Sequence, residues 1–333
     1  MNDSYIKIKN LTRWWRFGIV LFCSLILSVA CHRGGSLPVN YQSTNAACRQ
    51  VEHIAGITCV PEKFERLVTL DDPENAIALG IKPLGAVLSD ISSSWQDKLT
   101  GVKNIGKIGE PSLESILALK PDLIVGSEYH KNIYPITSKI APTVLLKFRH
   151  SGTWKEVFTN VSVALGKKEV GQQVMADYYR RLAEFKHKMG NKLSKIKVSV
   201  VRVYPSNINL YFLDSFCGIV LQDAGLSRPE SQNYTASEAK KLFGNPIQVP
   251  IGNELVEKAD GDVIFIWTYE NNVKGNQTAQ YKLEQLKASP LWRNLKAVKE
   301  NKVYVVPSYW IGSGMLAANA IIDDLFKYLV DTH

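Results

Sequence analysis

Beyond Cys31 the chain has no apolar run approaching the roughly 20 residues that a membrane-spanning helix needs. It lacks a Gly-x-Ser-x-Gly nucleophile elbow and a His-Glu-x-x-His zinc motif, which leaves an α/β enzyme without a catalytic signature. His53, His130 and His150 show no metal-ligand spacing, and the remaining histidines are equally dispersed, so direct capture of a free metal ion is not expected. Lys and Arg are plentiful but scattered, with no recognisable nucleic-acid motif, and no nucleic-acid partner is expected. Cysteine is scarce: of five, Cys23 and Cys31 lie at the start of the chain and only Cys48, Cys59 and Cys217 remain beyond.

What is present begins with the leader. Lys7, Lys9, Arg13 and Arg16 precede an apolar run from Phe17 to Ala30, which ends Leu27-Ser28-Val29-Ala30-Cys31. The run is short for a spanning helix, and small residues before a cysteine mark a cleavage site. It resembles a lipobox, with Ser28 in place of the more usual Leu or Val, so residues 1–30 are expected to leave as a lipoprotein signal peptide and Cys31 to carry lipid. An uncleaved anchor is the alternative; both put the bulk of the chain outside the cytoplasm, in the cell envelope. The leader holds four basic residues and one acidic residue, so its removal lowers the net charge from +9 to +6. A positive balance there suits an anionic ligand or membrane surface.

In an oxidising compartment Cys48 and Cys59, which bracket a segment with Gly56 at a turn, are free to bridge. Such a loop gains about 2–3 kcal/mol in the chain-entropy model. Cys217, between Phe216 and Gly218, reads as a small buried residue.

Residues 31–47 are polar and aperiodic, a tether. Residues 48–165 read as an N-terminal α/β lobe, with buried strands at Arg66 to Leu70, Leu84 to Leu88 and Leu123 to Val125. The Asp71-Asp72-Pro73 run after the first strand reads as a helix cap. From 169 to 193, Val170, Val174, Tyr178, Leu182, Phe185, Met189 and Leu193 recur every three or four residues, which predicts one amphipathic helix of about 37 Å. With residues 166–193 as a stiff spine, 194–333 form a second α/β lobe, with strands at Val198 to Val203, Val263 to Trp267 and Val303 to Val306. The expected fold is α/β, two Rossmann-like lobes joined by one long helix. Glu114 precedes Asp122 by the same eight residues that separate Glu254 from Asp262, so each lobe presents an acidic residue in the first turn of an equivalent helix. Such a residue complements the helix dipole, and a matched pair also suits docking on a two-fold partner.

Several segments in order carry a family resemblance: Val51-Glu52-His53 through Val60-Pro61, Arg66 to Leu70, Pro111-Ser112-Leu113-Glu114 with Leu119 to Ile124, Ser138 to Thr143, Gln222 to Leu226, and Tyr304-Val305-Val306. From about residue 48 to its end the chain resembles an iron(III)-siderophore substrate-binding lipoprotein of an ABC importer, of the ferric dicitrate and hydroxamate type. The resemblance implies the class III periplasmic binding protein architecture, a monomer with a ligand cleft between its lobes. It further implies no cofactor and a permease dimer, with its ATPase, whose arginines would meet Glu114 and Glu254; Gly252 stands where the family usually has Ser. Cobalamin or haem would use a similar cleft. A ferric siderophore arrives with iron already wrapped in oxygens, so the cleft needs Arg, Tyr and Trp rather than metal ligands. Ligands of open α/β sheets bind beyond the carboxyl ends of strands. The residues at those exits are Trp95, Tyr129, His130, Arg149 with Trp154 close behind, Arg202, Tyr204, Tyr269, Tyr309 and Trp310, and Arg149 and Arg202 are expected to contact ligand oxygens. Trp292 reads as core.

Overall fold

The computed structural model describes residues 47–89, 94–107, 109–268 and 273–331. They open with an antiparallel hairpin, β1 (Cys48–His53) and β2 (Gly56–Pro61), in which His53 pairs with Gly56 and Cys48 with Pro61. Gly56 takes φ +126°, a conformation that L side chains rarely adopt. A disulfide joins Cys48 to Cys59 across the pair, with Cα atoms 5.4 Å apart.

The first lobe is built on β3 (Leu67–Thr69), β4 (Gly85–Ala86), β5 (Lys103–Asn104), β8 (Leu123–Ser127) and β9 (Thr143–Leu146); a small hairpin, β6 (Gly106–Lys107) and β7 (Glu110–Pro111), follows β5. Its strands are all parallel, in the order β5-β4-β3-β8-β9. The second sheet contains β10 (Val198–Val203), β11 (Ile208–Tyr211), β12 (Gln248–Ile251), β13 (Val263–Thr268) and β14 (Val303–Val305), in the order β12-β11-β10-β13-β14. Here β11 runs antiparallel to both neighbours, so the sheet is mixed rather than uniformly parallel. The long helix spans Lys168–Met189 and buries Tyr178, Leu182, Phe185 and Met189. Its start departs from the expected stripe: Val170 is 41% exposed, and Gly171 takes the buried place because a Cβ there would come within 2.6 Å of Ser162. Gly190, at φ +50°, ends the helix four residues before Leu193.

One core runs through both lobes and the helix. Trp154 is its junction: the fully buried indole meets Tyr178 of the long helix edge-on at 5.3 Å and Phe216 of the second lobe at 5.8 Å. Close by, Gly152 leaves no room for a Cβ against the Asp214 backbone carbonyl. Asp223 binds the same seam, accepting from the Tyr178 hydroxyl at 2.8 Å and pairing with Lys155 at 2.5 Å. Cys217 and Trp292 are buried.

The internal equivalence seen in the spacing has a structural counterpart. Asp122, just before β8, accepts the Glu65 and Arg66 N–H groups ahead of β3, at 3.0 and 3.1 Å. Asp262, just before β13, accepts the Lys197 N–H ahead of β10 at 2.7 Å. Each aspartate therefore ties the entrances of two adjacent parallel strands in its own lobe.

Candidate functional site

Three strand exits of the first lobe converge. After β3 the chain turns at Asp71-Asp72-Pro73 into the helix Glu74–Ala78, with Asp72 Oδ1 accepting the Glu74 N–H at 3.1 Å. Pro73 is the cap residue itself, one place earlier than the first helical position. At the end of β8 the Ser127 hydroxyl donates to Asp71 Oδ1 at 3.0 Å, and after β9 come Lys147 and Phe148. The second lobe contributes Ile311, Gly312 and Ser313, beyond β14. Together they wall a cavity of about 250 Å³ at the carboxyl ends of the first sheet.

Its lining is largely apolar, with carboxylates in the wall. Glu74 is buried, and burial together with the charge of Asp72 pushes its carboxyl up to about 8, against the lowering effect of the Ala317 N–H it accepts at 2.9 Å. Desolvation in the cavity wall also raises Asp71, whose side chain stays 43% exposed, and it is opposed by His130, whose Nδ1 lies 3.8 Å away, and by Ser127. Lys147 is the cation on this wall. Among the described residues no group of three or more His, Cys, Asp or Glu is arranged to hold a metal ion.

Of the exit residues expected to touch ligand, Tyr129 lines the cavity, 63% exposed, its ring 5.7 Å from Phe148. Trp95 and Tyr309 meet each other across the lobes at 5.7 Å, and the Tyr309 hydroxyl donates to Asp324 at 2.8 Å. Burial and Asp324 push the Tyr309 phenol upward. Two of the expected residues do not line the cavity and are enclosed in the lobes. Trp310 is fully buried, stacked on Phe265 at 4.5 Å with its N–H on Asp324, and His130 lies buried behind the cavity wall, beside Asp71 and beneath Gly126. Trp154 is likewise core. Arg149 is on the surface, ion-paired with Glu156 at 2.6 Å. Arg202 is buried, its guanidinium 4.0 Å from the Tyr204 ring and 3.4 Å from the Tyr211 hydroxyl, while Tyr204 itself donates to Gln248 at 3.3 Å. Neither arginine lines the cavity. Tyr269 and Cys31 lie outside the described residues.

The residues missed by sequence reasoning are Asp71, Asp72, Glu74, Ser127 and Lys147. The first two stand in view at a strand exit, but in the sequence they read as a helix cap, and cations and rings rather than carboxylates are what an anionic ligand calls for. Glu114 and Glu254 are both exposed. Ser112 caps the Glu114 helix by accepting the Ser115 N–H at 3.1 Å; Gly252 offers no such cap, and the Glu254 carboxylate folds back into the space a Cβ there would take.

Residues 68–310 match the model of the family described as periplasmic binding protein. The chain belongs to the periplasmic binding protein family. It is 35% identical to YfiY, a probable siderophore-binding lipoprotein of Bacillus subtilis, over 94% of this chain and 97% of the relative. It is 29% identical to the achromobactin-binding periplasmic protein of Dickeya dadantii, over 79% and 86% of the two chains. Among solved structures it resembles Staphylococcus aureus SirA complexed with staphyloferrin B, with a TM-score of 0.72 and 27% identity over 84% of this chain and 98% of that one. This is the family to which the sequence pointed, and its members are non-enzymatic components of transport in the cell envelope. The two sheets and long helix of this periplasmic binding protein are the class III architecture.

Proposed function

We propose that this binding protein captures a ferric siderophore or ferric citrate complex in the interlobe cavity and delivers it to an ABC permease dimer driven by its ATPase. One observation carries the reading: residues of both lobes wall a single cavity at strand exits, in a chain whose relatives are named for siderophores. At about 250 Å³ the cavity is below the usual 300–1,000 Å³ of a small-molecule site, so it takes one arm of the complex while the rest sits in its mouth. Tyr129 supplies an exposed ring there, and Lys147 a charge for ligand oxygens. Glu114 and Glu254 are the docking residues of the same proposal. Cys31 is its proposed lipid attachment point, and the mass of the mature N-terminal residue tests it.

The test is a panel of ferric citrate, ferric staphyloferrin B and ferric achromobactin. For the complex that binds, Lys147→Ala is expected to weaken affinity at least roughly tenfold, the worth of one charge-assisted hydrogen bond. Tyr129→Ala should also weaken it. Unchanged affinity in both variants would remove this cavity from the binding site.

A further inference from the structure

The helix Met315–Leu325 in the second lobe begins at Gly314, and no side chain of its own caps it. Its first N–H groups are satisfied instead from the first lobe. Asn75 Oδ1 accepts the Met315 N–H at 3.1 Å, and Glu74 Oε2 accepts the Ala317 N–H at 2.9 Å. The fit is close: a Cβ on residue 314 would stand 2.7 Å from Glu74 Cβ, so glycine is required for the approach. The two partners of this contact are also the two walls of the cavity, since Glu74 and Asn75 line one side and Ile311 to Ser313, immediately before the helix, line the other.

We propose that Glu74 and Asn75 form an interlobe latch, capping a helix of the second lobe from the first and thereby holding the two cavity walls at a fixed spacing. A residue 240 positions away supplies what an N-cap side chain normally would, so the lobes cannot part at the floor of the cleft without leaving helix N–H groups unpaired. The latch is independent of which complex the cleft takes.

It also responds to pH, with a sign that follows from its surroundings. Asp72 on the same strand exit opposes the Glu74 charge; Asp71 and Lys147 lie on the other walls of the cavity, and the first turn of the facing helix carries no acidic residue. Glu74 therefore holds its proton up to about 8 in the folded chain, against 4.5 ordinarily. Between those values the folded state binds a proton that the unfolded state has released, so stability falls as pH rises through the window and levels off above it. Glu74→Gln keeps the acceptor and removes the titration.

The experiment measures amide exchange of residues 311–318 and small-angle scattering for the wild type, Glu74→Ala and Glu74→Gln, with the unfolding midpoint followed from pH 5 to 8.5. Glu74→Ala should speed exchange at Met315 and Ala317 at least tenfold and enlarge the radius of gyration, whereas Glu74→Gln should keep protection and show a flatter midpoint than the wild type. If Glu74→Ala does not fold, Asn75→Ala removes the other half of the latch and is read the same way. Unchanged exchange, or faster exchange with unchanged scattering, would overturn the latch, and a Gln variant as pH-dependent as the wild type would overturn its response to pH.

Discussion

Replacing both Glu114 and Glu254 with alanine is expected to reduce uptake in reconstituted vesicles to background while leaving affinity for the ferric complex unchanged. Both side chains are exposed in the first turn of their helices, and neither lines the cavity. Their matched placement rests on more than spacing, because Asp122 and Asp262, each eight residues on, make the same bonds to the strand entrances of their own lobes. Truncating one partner of a desolvated charge pair costs about 2 kcal/mol or more, roughly thirtyfold per contact, and two contacts are lost together. Beside them Leu117 is 59% exposed and Leu255 36%, apolar surface that a docked permease would cover. Lysine at both positions should be worse than alanine, since like charges would then face the arginines that the docking proposal places on the permease. Transport at the wild-type rate with both charges removed would leave these glutamates as helix-terminus residues only.

Trp154→Ala is expected to cost about 3–5 kcal/mol of folding stability, the range for truncating a buried aromatic side chain. The indole is fully buried where a helix of the first lobe, the long helix and the second lobe meet, so the cavity left behind has rings on two sides that cannot both relax into it. Val163→Ala on the same helix, at a position 41% exposed, should stay within about 0.5 kcal/mol of the wild type. Chemical denaturation of both variants makes the comparison. Equal midpoints would contradict a single core shared by both lobes.

The spine is legible from its period and the parallel strands from continuous apolar runs, because strands buried on both faces need no polar alternation. Tyr178, Leu182, Phe185 and Met189 lie on one face by spacing alone, and all four are buried. The strands β11 and β12 were not found: each has four residues, and Pro250 interrupts the second, which suits an edge strand but erases the pattern of a central one. The cavity was only half legible. Strand exits locate a neighbourhood, yet of the adjacent Tyr129 and His130 the first is exposed on the cavity and the second is buried behind its wall, beside Asp71 and Gly126. Direction at an exit depends on the turn that follows, which one sequence does not reveal. Arg202 illustrates the same limit: it sits within β10, and Tyr204 and Tyr211 hold it inside the lobe rather than at the cavity. The contact between Glu74 and Ala317 joins positions on different lobes, and no local pattern announces it.

The most direct test of the account is a titration of intrinsic tryptophan fluorescence, for which Trp95 at the lobe junction is a suitable reporter. The ligands are ferric citrate, ferric staphyloferrin B and ferric achromobactin, each beside its iron-free form. At least one ferric complex should quench the emission saturably at one-to-one stoichiometry, with its iron-free partner far weaker. No saturable response to any ferric complex, or an equal response without iron, would contradict ferric-siderophore capture as the function of this protein.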